Sequence, residues 1–209
     1  MKSFDPALYL VTDPRYPLDE SELVALVRAG VSMVQLRDKA ASTRALLERA
    51  KRWVDCLGPW GVPLIVNDRV DVAAAAGAAG VHLGQSDLPL ENARAILGED
   101  AIIGISLERL EAHEPDAGYV AVSPVHSTPT KTDTTAPMGI EGVRAVASRH
   151  TAPTVGIGGI GLREVGAVIR AGARGVAVVS AILAADDRVG AARRLRAEVD
   201  LALRFEPKT

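Results

Sequence analysis

The stretch that decides the fold runs from Tyr119 to Asp133 and reads Tyr-Val-Ala-Val-Ser-Pro-Val-His-Ser-Thr-Pro-Thr-Lys-Thr-Asp. It opens as a short apolar strand with β-branched valines, which Pro124 ends. The loop that follows is crowded with hydroxyl and ammonium groups, on Ser127, Thr128, Thr130, Lys131 and Thr132. Such groups suit a phosphate or carboxylate ligand, although the motif by itself also fits a solvated surface loop.

The same strand–loop–helix unit recurs along the whole chain. Seven further short apolar runs predict strands at Ala7–Val11, Ser32–Leu36, Pro63–Val66, Val81–Leu83, Ala101–Ile105, Pro153–Ile157 and Gly175–Val179. Apolar residues at helical spacing follow most of them. Eight such units in 209 residues predict an α/β fold, a single-domain (β/α)8 TIM barrel over residues 1–209. A doubly wound open sheet is the alternative, but the chain carries no dinucleotide fingerprint.

Composition narrows the classes of function. The chain is 48% hydrophobic with a net charge of -2, which argues against nucleic acid or an anionic membrane as a partner. No apolar run approaches the roughly 18 residues of a spanning helix, and Met-Lys-Ser-Phe-Asp-Pro does not begin a signal peptide, so we expect a cytoplasmic protein. The lone Cys56 is a buried small hydrophobe or, less in keeping with its helix, a nucleophile. Oligomeric state stays open, with a homo-oligomer among the expectations.

Charged side chains follow the second strand in an alternating pattern. Gln35, Arg37 and Lys39 point to one side if the strand continues through Gln-Leu-Arg-Asp-Lys. In a barrel, the residues just past each strand meet on one face, where the chemistry takes place. Two cations and an amide there favour a polyanion, whereas the pattern alone also fits a charged turn in solvent.

Two aspartates follow adjacent strands. Asp68 comes after strand three in Asn67-Asp68-Arg69, and Asp87 follows strand four in Gly-Gln-Ser-Asp. Carboxylates that meet beside a cationic cluster suggest Mg²⁺, which takes one or two protein carboxylates and completes its shell with water and phosphate oxygens. In the alternative, one aspartate caps a helix and the other pairs with Arg69 or Arg37.

Small and hydroxyl residues follow the remaining strands. Ser106 ends strand five, and Gly-Ile-Gly-Gly-Ile, with Gly159, ends strand seven. Val179 and Ser180 end strand eight where a short helix begins. Glycines let backbone N–H groups approach an anion, and loops seven and eight form the usual phosphate site of this fold.

Taken in order, these motifs resemble the thiamine phosphate synthase family over nearly the whole chain. The most specific pieces are Gln-Leu-Arg-Asp-Lys at 35–39, Val-Asn-Asp at 66–68, His-Leu-Gly-Gln-Ser-Asp at 82–87 and Thr-Pro-Thr-Lys at 128–131. The resemblance implies a transferase of thiamine biosynthesis, which joins 4-amino-5-hydroxymethyl-2-methylpyrimidine diphosphate to a thiazole phosphate and releases pyrophosphate. Whether the thiazole carries a carboxylate is left open.

The resemblance also implies roles for individual residues. The pyrimidine diphosphate contacts are Gln35, Arg37, Lys39, Asn67, Ser106 and Lys131, of which Arg37, Ser106 and Lys131 take part in catalysis. Asp68 and Asp87 are implied as the Mg²⁺ ligands. Thr128 and Thr130 are implied as thiazole contacts, and Gly159, Val179 and Ser180 hold its phosphate.

Two positions depart from the family pattern. Glu108 stands where a histidine is usual, and His126 stands where the family has a phenylalanine. We expect Glu108 to face solvent or pair with an arginine, and His126 to pack as a ring. His82, between apolar neighbours, is interpreted as a satisfied core histidine. The rival hypotheses are a thiazole tautomerase, which lacks the acidic pair, and a non-catalytic paralogue that binds a thiamine precursor.

Overall fold

A computed structural model describes residues 3–109, 116–127 and 136–205. Its strands are β1 (Leu8–Val11), β2 (Met33–Leu36), β3 (Leu64–Asn67), β4 (Gly80–Leu83), β5 (Ile102–Leu107), β6 (Tyr119–Val122), β7 (Thr154–Ile157) and β8 (Gly175–Val178). Its α-helices are α1 (Glu20–Arg28), α2 (Thr43–Leu57), α3 (Val70–Ala76), α4 (Leu90–Leu97), α5 (Gly139–Arg149), α6 (Leu162–Arg170), α7 (Ser180–Leu183) and α8 (Arg188–Arg204).

The eight strands pair in sequence order, each parallel to the next, and β8 closes the circle on β1. The prediction of a (β/α)8 barrel is therefore confirmed, and the open doubly wound sheet is wrong. The predicted extent of the domain, residues 1–209, stays a prediction. Among the described residues, the helices include none that combines the length and apolarity needed to span a membrane.

Strand boundaries agree with the sequence to within two residues. The largest difference is at β5, which runs on to Leu107 because Ser106 and Leu107 pair with Ala121 and Val122 of β6. The sequence predicts that this strand ends at Ile105, so β5 extends two residues further than predicted. Ser106 consequently sits inside a strand, which fixes the direction of its side chain.

Two apolar layers follow from the alternation of side chains along each strand. Outward-facing residues such as Leu10, Val34 and Val66 pack against the helices in one large cluster. Inward-facing residues fill the barrel in a second cluster, which consists of Tyr9, Val11, Met33, Ile65, Ile102, Tyr119, Ala121, Val155 and Ala177. Strands buried on both faces read as continuous apolar runs, which is why the sequence shows them clearly.

Gly104 makes room for the largest ring inside the barrel. A Cβ on this β5 glycine would lie 2.0 Å from Cζ and 2.3 Å from Oη of Tyr119, so it would overlap the phenol. Tyr119 also makes edge contacts with Tyr9 and Phe4, at centroid distances of 5.7 Å and 6.1 Å. The inward position on β5 is thus left empty so that two tyrosines can meet at the barrel centre.

Candidate active site

A cavity of about 740 Å³ lies at the C-terminal ends of the strands. All ten predicted site residues that the structure describes line it: Gln35, Arg37, Lys39, Asn67, Asp68, Asp87, Ser106, Gly159, Val179 and Ser180. The remaining three, Thr128, Thr130 and Lys131, lie outside the described residues. The sequence thus predicts correctly that these residues meet in one cavity, while their assignment as a functional site and the role of each stay predictions.

One wall of the cavity is cationic. Arg37 and Lys39 line it, while Asp38 between them turns away and accepts hydrogen bonds from Arg49 and from the backbone of Ala41. The alternation expected past β2 therefore persists beyond the strand. Thr12 holds the Arg37 backbone, since its hydroxyl accepts the Arg37 N–H at 3.0 Å. The Arg37 guanidinium itself has no hydrogen bond or ion pair with any other residue that the structure describes.

Beside this wall, Asp68 and Asp87 meet although they follow different strands. The two carboxyl groups are close enough to raise the pKa of Asp68, and Lys39 Nζ lies 3.5 Å from Asp68 Oδ2. Burial raises the pKa of Asp68, the nearby Asp87 carboxyl raises it further, and Lys39 opposes both. Asp87 is held in turn by the Gly84 N–H, which donates to its Oδ2 at 2.6 Å.

The alternative pairing for these aspartates is not what the structure shows. Arg69 forms a two-pronged ion pair with Asp71, at 2.8 Å and 2.6 Å, and also donates to Thr43. Asp68 has a left-handed backbone with φ of 60°, which is uncommon for a residue other than glycine. This backbone brings the Asp68 carboxyl to the cavity wall.

The loops that follow β6 and β7 are joined by backbone hydrogen bonds. The Val125 and His126 N–H groups donate to the carbonyls of Ile157 and Gly158, at 2.8 Å and 3.0 Å. Gly159 has a φ of 62°, and a Cβ there would lie 2.8 Å from Cβ of His126. A glycine is therefore required where the two loops touch, beside the half-buried His126, while the expectation that the His126 ring packs as a phenylalanine would stays a prediction.

A chain of buried polar side chains lies at the bottom of the cavity. Gln35 Nε2 donates to Tyr9 Oη at 2.8 Å, and Tyr9 Oη lies 2.8 Å from Tyr119 Oη. Nδ1 of His82 lies 2.9 Å from Tyr119 Oη, and Nε2 of the same ring lies 2.9 Å from Ser106 Oγ. The interpretation of His82 as a satisfied core histidine is supported, but its ring also borders the cavity.

Most of these hydrogen-bonded side chains are not identified from the sequence. Tyr9, His82 and Tyr119 occupy inward positions of β1, β4 and β6, which the period of two along a strand could have revealed. What it could not reveal is the register that brings them together. Gln85 was also missed: its amide donates to the Ser106 carbonyl at 2.8 Å. It fastens the loop after β4 to the end of β5.

Two acidic residues also line the cavity. Glu164, which was not predicted, accepts the Gly161 N–H at 2.9 Å and so holds the start of α6. Glu108 is half-buried and borders the cavity, so it is not fully exposed to solvent. The other half of the expectation, a pairing with an arginine, stays a prediction. Glu108 follows the last residue of β5, whose extension to Leu107 carries it to the rim of the barrel.

Comparison with known proteins decides the family. The sequence profile of thiamine monophosphate synthase matches residues 8–182. The chain belongs to the thiamine monophosphate synthase family. The thiamine-phosphate synthase of Azorhizobium caulinodans is 48% identical over 208 residues, which cover 96% of this chain and 98% of the relative. The resemblance seen in the sequence is therefore confirmed.

Solved structures give the same result. The thiamine phosphate pyrophosphorylase of Pyrococcus furiosus is similar with a TM-score of 0.85 and 32% identity, and covers 95% of this chain and 97% of its own. A 3-hexulose-6-phosphate synthase matches with a TM-score of 0.66 at 19% identity, over 92% and 99% of the two chains, which shows the barrel fold alone. As a thiamine monophosphate synthase, the chain is a transferase of thiamine biosynthesis, as predicted.

Proposed function

We propose that the chain joins 4-amino-5-hydroxymethyl-2-methylpyrimidine diphosphate to a thiazole phosphate, giving thiamine phosphate and pyrophosphate. The observation that carries the proposal is the pairing of a cationic wall with a carboxylate pair in one cavity, at the strand ends of a thiamine monophosphate synthase. Arg37 and Lys39 bind the diphosphate. An Arg37 guanidinium that is not engaged by other described residues is available for two parallel hydrogen bonds to phosphate.

Asp68 and Asp87 are suited to hold Mg²⁺. Two carboxyl groups in contact, one with its pKa raised by burial and by the other, form an arrangement that a bound cation stabilises. Within the part of the chain that the structure describes, no third acidic, histidine or cysteine side chain completes a cluster, which suits an ion that takes its remaining ligands from water and phosphate. Bound there, Mg²⁺ would neutralise charge on the diphosphate.

The remaining assignments follow the two ends of the cavity. Asn67 and Ser106 contact the pyrimidine diphosphate, together with Gln35 and with Lys131 from the loop after β6. The thiazole phosphate is bound by Gly159, Val179 and Ser180, where the loops after β7 and β8 adjoin. Thr128 and Thr130 contact the thiazole ring.

The reaction is a substitution at the methylene carbon of the pyrimidine. The C–O bond to the diphosphate breaks, pyrophosphate leaves with the electron pair, and the thiazole nitrogen forms the new C–N bond. The electron-rich aminopyrimidine stabilises the methylene cation, so the chain needs no strong base. Arg37, Lys39 and Lys131 lower the barrier because they stabilise charge that grows on the leaving group.

The test is to mix the purified chain with both substrates and Mg²⁺ and to measure thiamine phosphate and pyrophosphate in equal amounts. A reaction without the pyrimidine tests the tautomerase hypothesis, because only an isomerase would convert the thiazole by itself. Binding of both substrates by calorimetry without product would favour a non-catalytic paralogue. Either result would overturn the proposal.

We infer, further, that the partners are small molecules rather than nucleic acid and that the protein is cytoplasmic; its oligomeric state stays open, with a homo-oligomer among the expectations. The net charge of -2 supports the first inference. Substrates of this kind, charged and soluble, support the second. Light scattering at several protein concentrations would determine the oligomeric state.

A further inference from the structure

Four hydrogen bonds link five side chains into one chain through the barrel: Gln35, Tyr9, Tyr119, His82 and Ser106. Both ends, Gln35 and Ser106, line the cavity. Tyr119, in the middle, is fully buried and does not line it. The two cavity-facing ends are therefore connected through a residue that the ligand does not touch.

The protons along this chain can be counted. Burial raises the pKa of both Tyr9 and Tyr119, so each phenol keeps one proton and donates one hydrogen bond. Tyr9 Oη accepts from the Gln35 amide N–H. Either hydroxyl could donate in the contact between Tyr9 and Tyr119, and we assign the Tyr9 proton to it because Tyr9 already accepts from Gln35. With that assignment the Tyr119 proton goes to Nδ1 of His82, 2.9 Å away, where the roles depend on the histidine tautomer.

This direction of donation fixes the tautomer of His82. With Nδ1 accepting, the neutral His82 ring carries its proton on Nε2 and donates to Ser106 Oγ. The Ser106 proton is not used in the chain and is available to a ligand, as is the carbonyl oxygen of the Gln35 amide. One end of the chain offers a donor to the cavity and the other an acceptor.

We propose that the chain is polarised from Gln35 to Ser106, and that Tyr119 is the positioning residue that gives these two ends opposite hydrogen-bonding roles. The ligand selected is a nitrogen heteroaromatic ring with an amino substituent. Its ring nitrogen accepts from Ser106, and its amino group donates to the Gln35 carbonyl oxygen. The choice of ring rests on the proposed function, whereas the polarity of the chain does not.

The polarity also explains why a serine and a histidine 2.9 Å apart do not make a hydrolase. A general base needs a lone pair on the nitrogen that faces the serine. In a Ser-His-Asp triad a carboxylate accepts from the far nitrogen, whereas here Tyr119 donates to it. The His82 proton therefore lies on the wrong side, and Ser106 binds without being activated as a nucleophile.

Histidine NMR tests the polarity without any need for turnover. The full chain is labelled with ¹⁵N-histidine, and the His82 signals are assigned with His82→Gln. In the wild type we expect one tautomer, with the proton on Nε2. Tyr119→Phe should give a mixture of tautomers, because Nδ1 loses its donor. Tyr9→Phe is the matched control: it deletes a buried hydroxyl from the same cluster but leaves Tyr119 free to donate, so the tautomer should persist.

A wild-type ring with its proton on Nδ1 would overturn the proposal, as would a Tyr119→Phe spectrum identical to that of the wild type. If Tyr119→Phe does not fold, the wild type and Tyr9→Phe still decide, because the proposal requires the Nε2–H tautomer in both. Loss of that tautomer in Tyr9→Phe would contradict the assigned direction.

Ligand selection is measured by calorimetry with the pyrimidine diphosphate and its 4-oxo analogue, in the absence of the thiazole. The analogue has a carbonyl oxygen in place of the amino group that donates to Gln35. The wild type should therefore bind the amino form at least about tenfold more tightly. In Tyr119→Phe the ratio should fall to about threefold or less. Equal affinities in the wild type would overturn the selection. If His82 has its proton on Nε2 but the protein forms no thiamine phosphate, the proposed function is overturned and the polarity of the hydrogen bonds is not.

Discussion

Lys39 Nζ lies 3.5 Å from Asp68 Oδ2, so the cationic wall and the carboxylate pair of the cavity are in direct contact. The contact joins the segment after β2 to the residue after β3. It partly offsets the repulsion between Asp68 and Asp87, because Lys39 lowers the pKa of Asp68 while burial and Asp87 raise it. The balance favours the protonated form, and the predictions for the two aspartates follow from it.

Asp68→Asn should stabilise the chain at neutral pH in the absence of divalent cations. Because the folded-state pKa of Asp68 is raised, its contribution to stability is complete below the ordinary aspartate pKa and is lost as the pH rises through the folded-state value. Asparagine removes this loss and tolerates a positive φ. We expect a melting temperature higher by about 2–4 °C at about pH 7, where this corresponds to roughly 1 kcal/mol.

At about pH 3, below the ordinary aspartate pKa, the two melting temperatures should converge. Asp71→Asn is the matched control, since Arg69 lowers the pKa of Asp71. The ion pair between Asp71 and Arg69 stabilises the fold above the ordinary aspartate pKa, and this stabilisation is lost as the pH falls. The control variant should therefore melt no higher than the wild type at neutral pH. A lower melting temperature for Asp68→Asn at about pH 7 would contradict the prediction.

Asp87→Asn should weaken the response to Mg²⁺. Asparagine keeps an oxygen that can accept from the Gly84 N–H but removes the charge, so the loop is retained. The rate at saturating substrates should fall roughly 100-fold, or about 3 kcal/mol in the barrier. The Mg²⁺-induced rise in melting temperature, measured without substrates, should also shrink. If this variant and Asp71→Asn respond alike to Mg²⁺, the metal assignment is wrong.

Glu108→Gln should improve binding of the diphosphate. Glu108 borders the cavity, and a like charge at about 4 Å costs on the order of 1 kcal/mol even in solvent. We expect KM for the pyrimidine diphosphate to fall about fivefold with little change in kcat. Glu99→Gln, an exposed residue outside the cavity lining, is the control. An unchanged KM would show that Glu108 is held away from the substrate.

Gly104→Ala should destabilise the barrel, since the new Cβ would overlap the Tyr119 ring. Overpacking of this kind typically costs 1–3 kcal/mol, and we expect about 3 kcal/mol in denaturant unfolding. Gly58→Ala is the control, because nothing lies within 4 Å of its Cβ position. Equal stability of the two variants would mean that the ring at Tyr119 moves aside without cost.

The fold and the location of the site could be predicted because both depend on local sequence. Strands buried on two faces are continuous apolar runs, and residues past their ends must meet once the barrel closes. The link from Tyr9 through Tyr119 to His82 depends on register across β1, β4 and β6, which no local pattern encodes. The position of the Asp68 side chain depends on the positive φ of that residue. Ser106 lies within β5 rather than just after it, because the length of β5 is set by its pairing with β6.

The alternation past β2 makes this edge of the cavity intolerant of insertions. Arg37 and Lys39 face the cavity, and Asp38 faces Arg49, only because side-chain direction reverses at every residue. One residue added between Leu36 and Arg37 would turn both cations outward and bring the Asp38 carboxylate inward, beside Asp68. The sign of charge that the cavity presents to its ligand is thus set by whether a count of residues is odd or even.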